Sequence, residues 1–166
     1  MRMDLIQPFI NSADAVLAQG LESPVSIENL TMEQEAYRRK GVAADVILSG
    51  EIEGRIIFDV DPGTSLQLAS RLAGVGPDEA DEDLVREAVL ELANQIIGNA
   101  ITSLNDQGFH FRVRPPTLHT SEQVSASSED TEALVMCFNT SSGNVFMNVA
   151  LRYHGPQAAE QATVAG

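Results

Sequence analysis

Between Asp81 and Asn105 the apolar residues Val85, Val89, Leu92, Ile96, Ala100 and Leu104 advance by three or four positions at a time. That spacing makes one apolar stripe, so it predicts a long central helix over residues 80–105 that lays this stripe on a core. On a helix turning about 100° per residue, Glu91, Asn94 and Gly98 gather on the opposite side, with Glu87 and Thr102 above and below them. Taking Glu91 as zero, Asn94 lies about 60° to one side and Gly98 about 20°, so a carboxylate and a carboxamide stand one turn apart beside a missing side chain. A glycine within a helix costs about 1 kcal/mol relative to alanine. Two reasons would repay that cost: close packing against a neighbouring element, or room for the backbone of another molecule.

The remaining pattern sorts into shorter elements. Met3–Ala18 has helical spacing at Leu5, Ile6, Phe9, Ile10, Ala13, Val16 and Leu17, with Gly20 as its stop. Val25, Ile27 and Leu30 hint at a strand, and the charged stretch Glu33–Lys40 reads as an exposed connection. Val42–Val60 contains two β-branched runs around Ser49-Gly50, the mark of a hairpin, with Gly54 at a bulge or a close backbone approach. Asp61-Pro62-Gly63-Thr64 then offers a cap for a short helix through Leu66, Leu68, Ala69 and Leu72 that ends at Gly74. The acidic run from Asp78 to Asp83 fits the start of the central helix, where the helix dipole favours negative charge. Phe109, Phe111 and Val113 alternate like a strand that Pro115-Pro116 ends, since neither proline can donate to a ladder. Thr117–Thr131 is polar, an edge strand with a loop or a long loop. Ala133–Phe138 and Val145–Tyr153 form a second hairpin around Gly143. The sum is an α+β fold, a mainly antiparallel sheet of about six strands with helices packed on it, in a single domain over residues 1–155. Residues 156–166 read as a disordered tail. Helix followed by hairpin occurs twice, which hints at two related halves, yet the first half carries no Glu and Asn three apart.

Composition removes several functions. A formal net charge of −14, with only 10 Lys and Arg, gives no electrostatic footprint for nucleic acid. No apolar run is long enough to span a bilayer and nothing resembles a signal peptide, so no membrane insertion and a cytoplasmic location are expected. The lone Cys137 excludes a disulfide within one chain. The three His and the single Cys show no ligand spacing, so no metal and no other cofactor is expected to be bound by the chain itself.

The segment ELANQIIGNA resembles the helix of the CheC/CheX/FliY family of bacterial chemotaxis phosphatases, and among them the single-site CheX branch. In that family a Glu is followed three residues later by Asn and twenty-two after that by Pro. Glu91, Asn94 and Pro116 match, since 116 − 94 = 22. LSGEIEGRIIFDV and GFHFRVRPPT are similar to the flanking segments in the same order, so the likeness runs over residues 3–153. Position 87 departs from the pattern, with Glu where the family has Asp or Ser. The resemblance implies hydrolysis of the phosphoaspartate of a phosphorylated CheY-like response regulator. Asn94 would position the attacking water and Glu91 would pair with the regulator's active-site Lys, while Mg²⁺ is expected in the regulator's own site. Glu87, Gly98 and Pro116 complete the expected partner-binding set, and a homodimer is implied as well. The alternative is a domain of the same fold that binds or dimerises in a two-component pathway without turnover.

Overall fold

The computed structural model describes residues 2–33, 37–119 and 132–155, so the expected tail and most of the Thr117–Thr131 segment lie outside the described residues. In chain order the elements are α1 (Met3–Leu21), β1 (Ser26–Glu33), β2 (Val42–Gly50), β3 (Ile52–Val60), α2 (Pro62–Ala73), a single 3-10 turn at Pro77–Glu79, α3 (Glu82–Asp106), β4 (Phe111–Val113), β5 (Thr117–His119), β6 (Ala133–Thr140) and β7 (Gly143–Tyr153). Seven strands form one sheet in which every pairing is antiparallel, in the order β1-β6-β7-β3-β2-β4, with β5 also on β2. The three helices cover one face. Ala44, Val46 and Leu48 of β2, Ile56 and Phe58 of β3 and Met147 and Val149 of β7 point into the core that the helices close.

The two-half hint is realised in the topology. Helix, strand and hairpin recur as α1-β1-β2/β3 and α3-β4/β5-β6/β7, and each half lends its lone strand to the other: β1 lies on β6, while β4 and β5 lie on β2. The hairpins meet through β3 and β7 at the centre of the sheet. Gly54 permits that meeting. Its φ is +146°, and a Cβ there would fall 1.9 Å from the Ala150 carbonyl oxygen.

Caps set the helix boundaries that hold the site. The Asp61 carboxylate accepts from the Thr64 amide at 2.9 Å at the start of α2, and Asp81 accepts from the Leu84 amide at 2.8 Å at the start of α3. Gly74, in the left-handed region at φ +70°, ends α2.

One expectation is corrected in part. Within the Glu33–Lys40 stretch, expected to be an exposed connection, Glu33, Arg38 and Lys40 are exposed but Tyr37 and Arg39 are buried, Tyr37 on the sheet face away from the helices. The reason is Asp59, fully buried on β3, which accepts from the Tyr37 hydroxyl at 2.7 Å and from the Lys40 and Gly41 amides at 2.6 and 3.2 Å. A carboxylate in that position must be satisfied, so it draws the segment down onto the sheet. Burial still pushes the Asp59 carboxyl above its ordinary value, against the pull of these hydrogen bonds. The strand before Pro115-Pro116 ends at Val113, as expected, and Thr117–His119 makes the edge strand that was one of the two readings of the next segment. Three residues, Arg114, Pro115 and Pro116, stand opposite two, Ile47 and Val46, and pairing with β2 resumes at Thr117. The extra residue makes a bulge that absorbs the missing donors and raises the strand count from about six to seven. The short helix α2 forms as expected, with Leu68 and Ala69 buried and Leu66 and Leu72 exposed among its apolar positions.

Candidate functional site

Three neighbours clamp α3. It packs on α1, on α2 and on β2. Val85, Val89, Leu92, Ile96, Ala100 and Leu104, the predicted stripe, are all buried, and Ala88, Ala93 and Ile97 widen it on both flanks. Small residues let α1 approach closely: the buried Ser12 hydroxyl donates to the Ile96 carbonyl at 2.6 Å beside the fully buried Ala13. With so much of the circumference occupied, α3 cannot roll, and a fixed strip is left to solvent.

Glu87, Glu91, Asn94, Gln95, Gly98 and Thr102 form that strip, all exposed. Glu91 and Gln95 are joined, the Gln95 amide donating to Glu91 Oε1 at 2.8 Å. This bond orients the carboxylate and leaves its second oxygen available. Gly98 lies about one turn beyond Asn94, and its carbonyl accepts from the Thr102 hydroxyl at 3.0 Å. Asn94 stands at the junction of two clefts. On the α2 side, a cleft of about 480 Å³ contains Glu87, Glu91 and Asn94 over apolar groups of α2 and α3. On the β2 side, a cleft of about 270 Å³ contains Asn94, Gly98, Val46, Val113 and Pro116. The bulge explains Pro116. It stands opposite Val46, which faces the helix layer, so the Pro-Pro step forms a wall beside α3.

All five residues singled out by sequence are therefore gathered on one side of the molecule, Glu87 and Glu91 to one side of Asn94 and Gly98 and Pro116 to the other. Sequence reasoning missed Gln95, whose signal was its place four residues after Glu91. It also missed the apolar floor of the larger cleft, which carries no motif. Among the described residues no group of three or more His, Cys, Asp and Glu side chains is disposed to hold a metal ion, and no helix is long and apolar enough to cross a membrane. The chemistry available is that of one oriented carboxylate and one neutral donor and acceptor on a rigid rod.

Gly98 separates the two explanations of a helical glycine. A Cβ built there meets nothing within 4 Å, so packing inside the chain does not require the missing side chain. Gly98→Ala is expected to raise stability by about 0.5–1 kcal/mol through helix propensity, read from urea denaturation. A loss of stability would mean that the surroundings of Gly98 are closed.

The fold and much of the sequence match known proteins. Residues 42–139 match the family described as Chemotaxis phosphatase CheX. A search of curated proteins gives no significant match. Among solved structures, a CheC-like superfamily protein from Shewanella sp. PV-4 superposes with a TM-score of 0.80 at 21% identity, over 92% of this chain and 99% of that one. The chemotaxis protein CheX from Vibrio vulnificus gives 0.77 at 21% identity, over 90% and 99%. A chain from the CheX-CheY-BeF3-Mg²⁺ complex of Borrelia burgdorferi gives 0.72 at 32% identity, over 91% and 99%. A sequence match across more than half of its length, on the same sheet and helix arrangement, means that the chain belongs to the CheX family of chemotaxis phosphatases.

Proposed function

We propose that this protein hydrolyses the phosphoaspartate of a CheY-like response regulator. The observation that carries the reading is the placement of Glu91 and Asn94, exposed one turn apart on a clamped helix where two clefts meet. The Borrelia relative was crystallised with CheY, BeF3 and Mg²⁺, which supports a partner of this class.

An acyl phosphate carries its own good leaving group, a carboxylate, so no general acid is needed. The step to be assisted is attack of water at phosphorus in line with the breaking P–O bond; inorganic phosphate leaves with the water oxygen and the regulator regains its aspartate. The regulator's own Mg²⁺ supplies charge neutralisation at the phosphoryl oxygens. This chain supplies order. The Asn94 carboxamide holds the water without adding negative charge next to an anion. Glu91, its Oε1 tied to Gln95, presents its other oxygen to the regulator's active-site Lys and fixes the docking angle. Gly98 and Pro116 bound the approach on the far side of Asn94.

The partner proposal includes a second copy of the chain. β1 is the edge of the sheet and is exposed throughout. Leu30 and Met32, both 50% exposed, stand on the side of the sheet that the helices cover elsewhere. Such an edge offers a full row of backbone donors and acceptors with apolar side chains beside it, suited to strand addition by another copy.

Asn94→Ala is expected to lower phosphate release from a phosphorylated receiver domain by about 100-fold or more, the scale of lost nucleophile alignment, with an unchanged denaturation midpoint. Glu91→Ala is expected to act mainly on KM, by about tenfold, through the lost ion pair. Wild-type protein that binds such regulators and releases no phosphate would identify a binding module. Sedimentation at micromolar concentration should show a dimer that Leu30→Lys with Met32→Lys converts to a monomer; a wild-type monomer would exclude the edge pairing.

A further inference from the structure

The cleft on the α2 side of Asn94 extends well past the two reactive side chains. Its floor is apolar, built from Leu72 and Ala73 at the end of α2 and from the half-buried Leu84 and Leu90 of α3. Leu72 is 38% exposed in the last turn before Gly74; its Cδ2 lies close to Gly20 of α1, and part of the side chain faces the cleft. Two carboxylates, Glu87 and Glu91, stand over this floor. The nearest cation in the sequence of α2 is turned elsewhere: Arg71 donates to the Leu21 carbonyl at 2.8 Å, pinning α2 to the end of α1. The cleft thus combines an apolar floor with charge of one sign. From Glu87 to Asn94 is seven residues, or about 10 Å along the helix axis, a distance that a docked protein surface spans.

Resting on the phosphatase reading, we propose that this cleft is the surface by which the protein selects its regulator. Its occupant is a segment of the receiver domain next to the phosphorylated aspartate, bearing an apolar side chain flanked by Lys or Arg. Continuity points to this occupant, because Glu91 and Asn94 line the cleft and a regulator seated on them lies over Leu72. Charge points the same way, since a rim of two carboxylates beside an apolar floor attracts a basic and apolar segment and rejects an acidic one. Leu72 and Glu87 then set affinity, and Asn94 sets the rate. Glu87, which stands where the family pattern has Asp or Ser, keeps a carboxylate on a longer stem at the rim of this cleft.

The test uses the full chain and receiver domains from the same genome loaded with beryllofluoride and Mg²⁺, titrated calorimetrically. Leu72→Ser is expected to weaken binding by about tenfold, the effect of losing a partly buried leucyl contact, with a cooperative thermal transition retained. Glu87→Gln is expected to weaken it about threefold and to flatten the dependence on salt. At saturating Leu72→Ser protein, single-turnover phosphate release should stay within twofold of wild type, so KM moves and kcat does not. Unchanged affinity in Leu72→Ser, or a loss of kcat with affinity intact, overturns the proposal. A wild type that binds a regulator without releasing phosphate sinks the phosphatase reading alone, and the Leu72 result still decides the cleft. A wild type that binds none of the regulators overturns both.

Discussion

The packing of α3 against three partners at once is the constraint on which the site depends. A surface helix that touches one neighbour can roll by tens of degrees; one wedged between α1, α2 and β2 cannot. The short hydrogen bond from Ser12 to the Ile96 carbonyl and the run of buried apolar side chains from Val85 to Leu104 fix both its rotation and its register. The exposed strip then follows from helical geometry. Glu91 and Asn94 are presented together because the side of the helix they occupy is the side the fold leaves uncovered, and Gly98 lies on the same side with open space around it. Rigidity of this kind suits a reaction in which the enzyme contributes little covalent chemistry and much alignment.

Charge supplies the second part of the logic. The chain carries 24 acidic and 10 basic side chains, and its proposed partner offers an ammonium next to a phosphoryl group. A helix that brought a carboxylate up to the phosphoryl group would repel it, whereas a neutral carboxamide does not. The carboxylate is placed one turn away, where it can meet a cation, and is restrained there by Gln95. On the other side of Asn94 the wall is apolar apart from one cation: Val46, Val113, Arg114 and the Pro115-Pro116 bulge, with no carboxylate among them. The polarity of the surface therefore changes across Asn94, which gives a docked regulator one orientation.

The helical stripe, both hairpins, the cap at Asp61, the acidic start of α3 and the gathering of Glu91, Asn94 and Gly98 were legible in the sequence because they are local: each is set by periodicity or by a residue with a strong positional preference. The family resemblance extended this to Pro116, which no local pattern connects to α3. What stayed hidden was long-range. Nothing in Glu33–Lys40 announces that Tyr37 will be drawn to a buried Asp59 more than twenty residues away, and the charged residues around it argue the opposite. The return of the strand after Pro115-Pro116 depends on an extra residue opposite Val46, visible only once β2 is beside it. The exposure of Leu72 has the same origin, for which of the leucines of α2 reach the core is decided by the angle at which α2 meets α3.

The most direct measurement of the central claim is a map of the docked surface on this chain. Isotope-labelled protein, titrated with a receiver domain loaded with beryllofluoride and Mg²⁺, should show its largest backbone amide shift changes along α3 from Glu87 to Thr102 and at Thr117 beyond the proline bulge, with β1 unmoved by the regulator. Changes confined to β1 or to the sheet face that holds Tyr37, with the amides of α3 unperturbed, would contradict it.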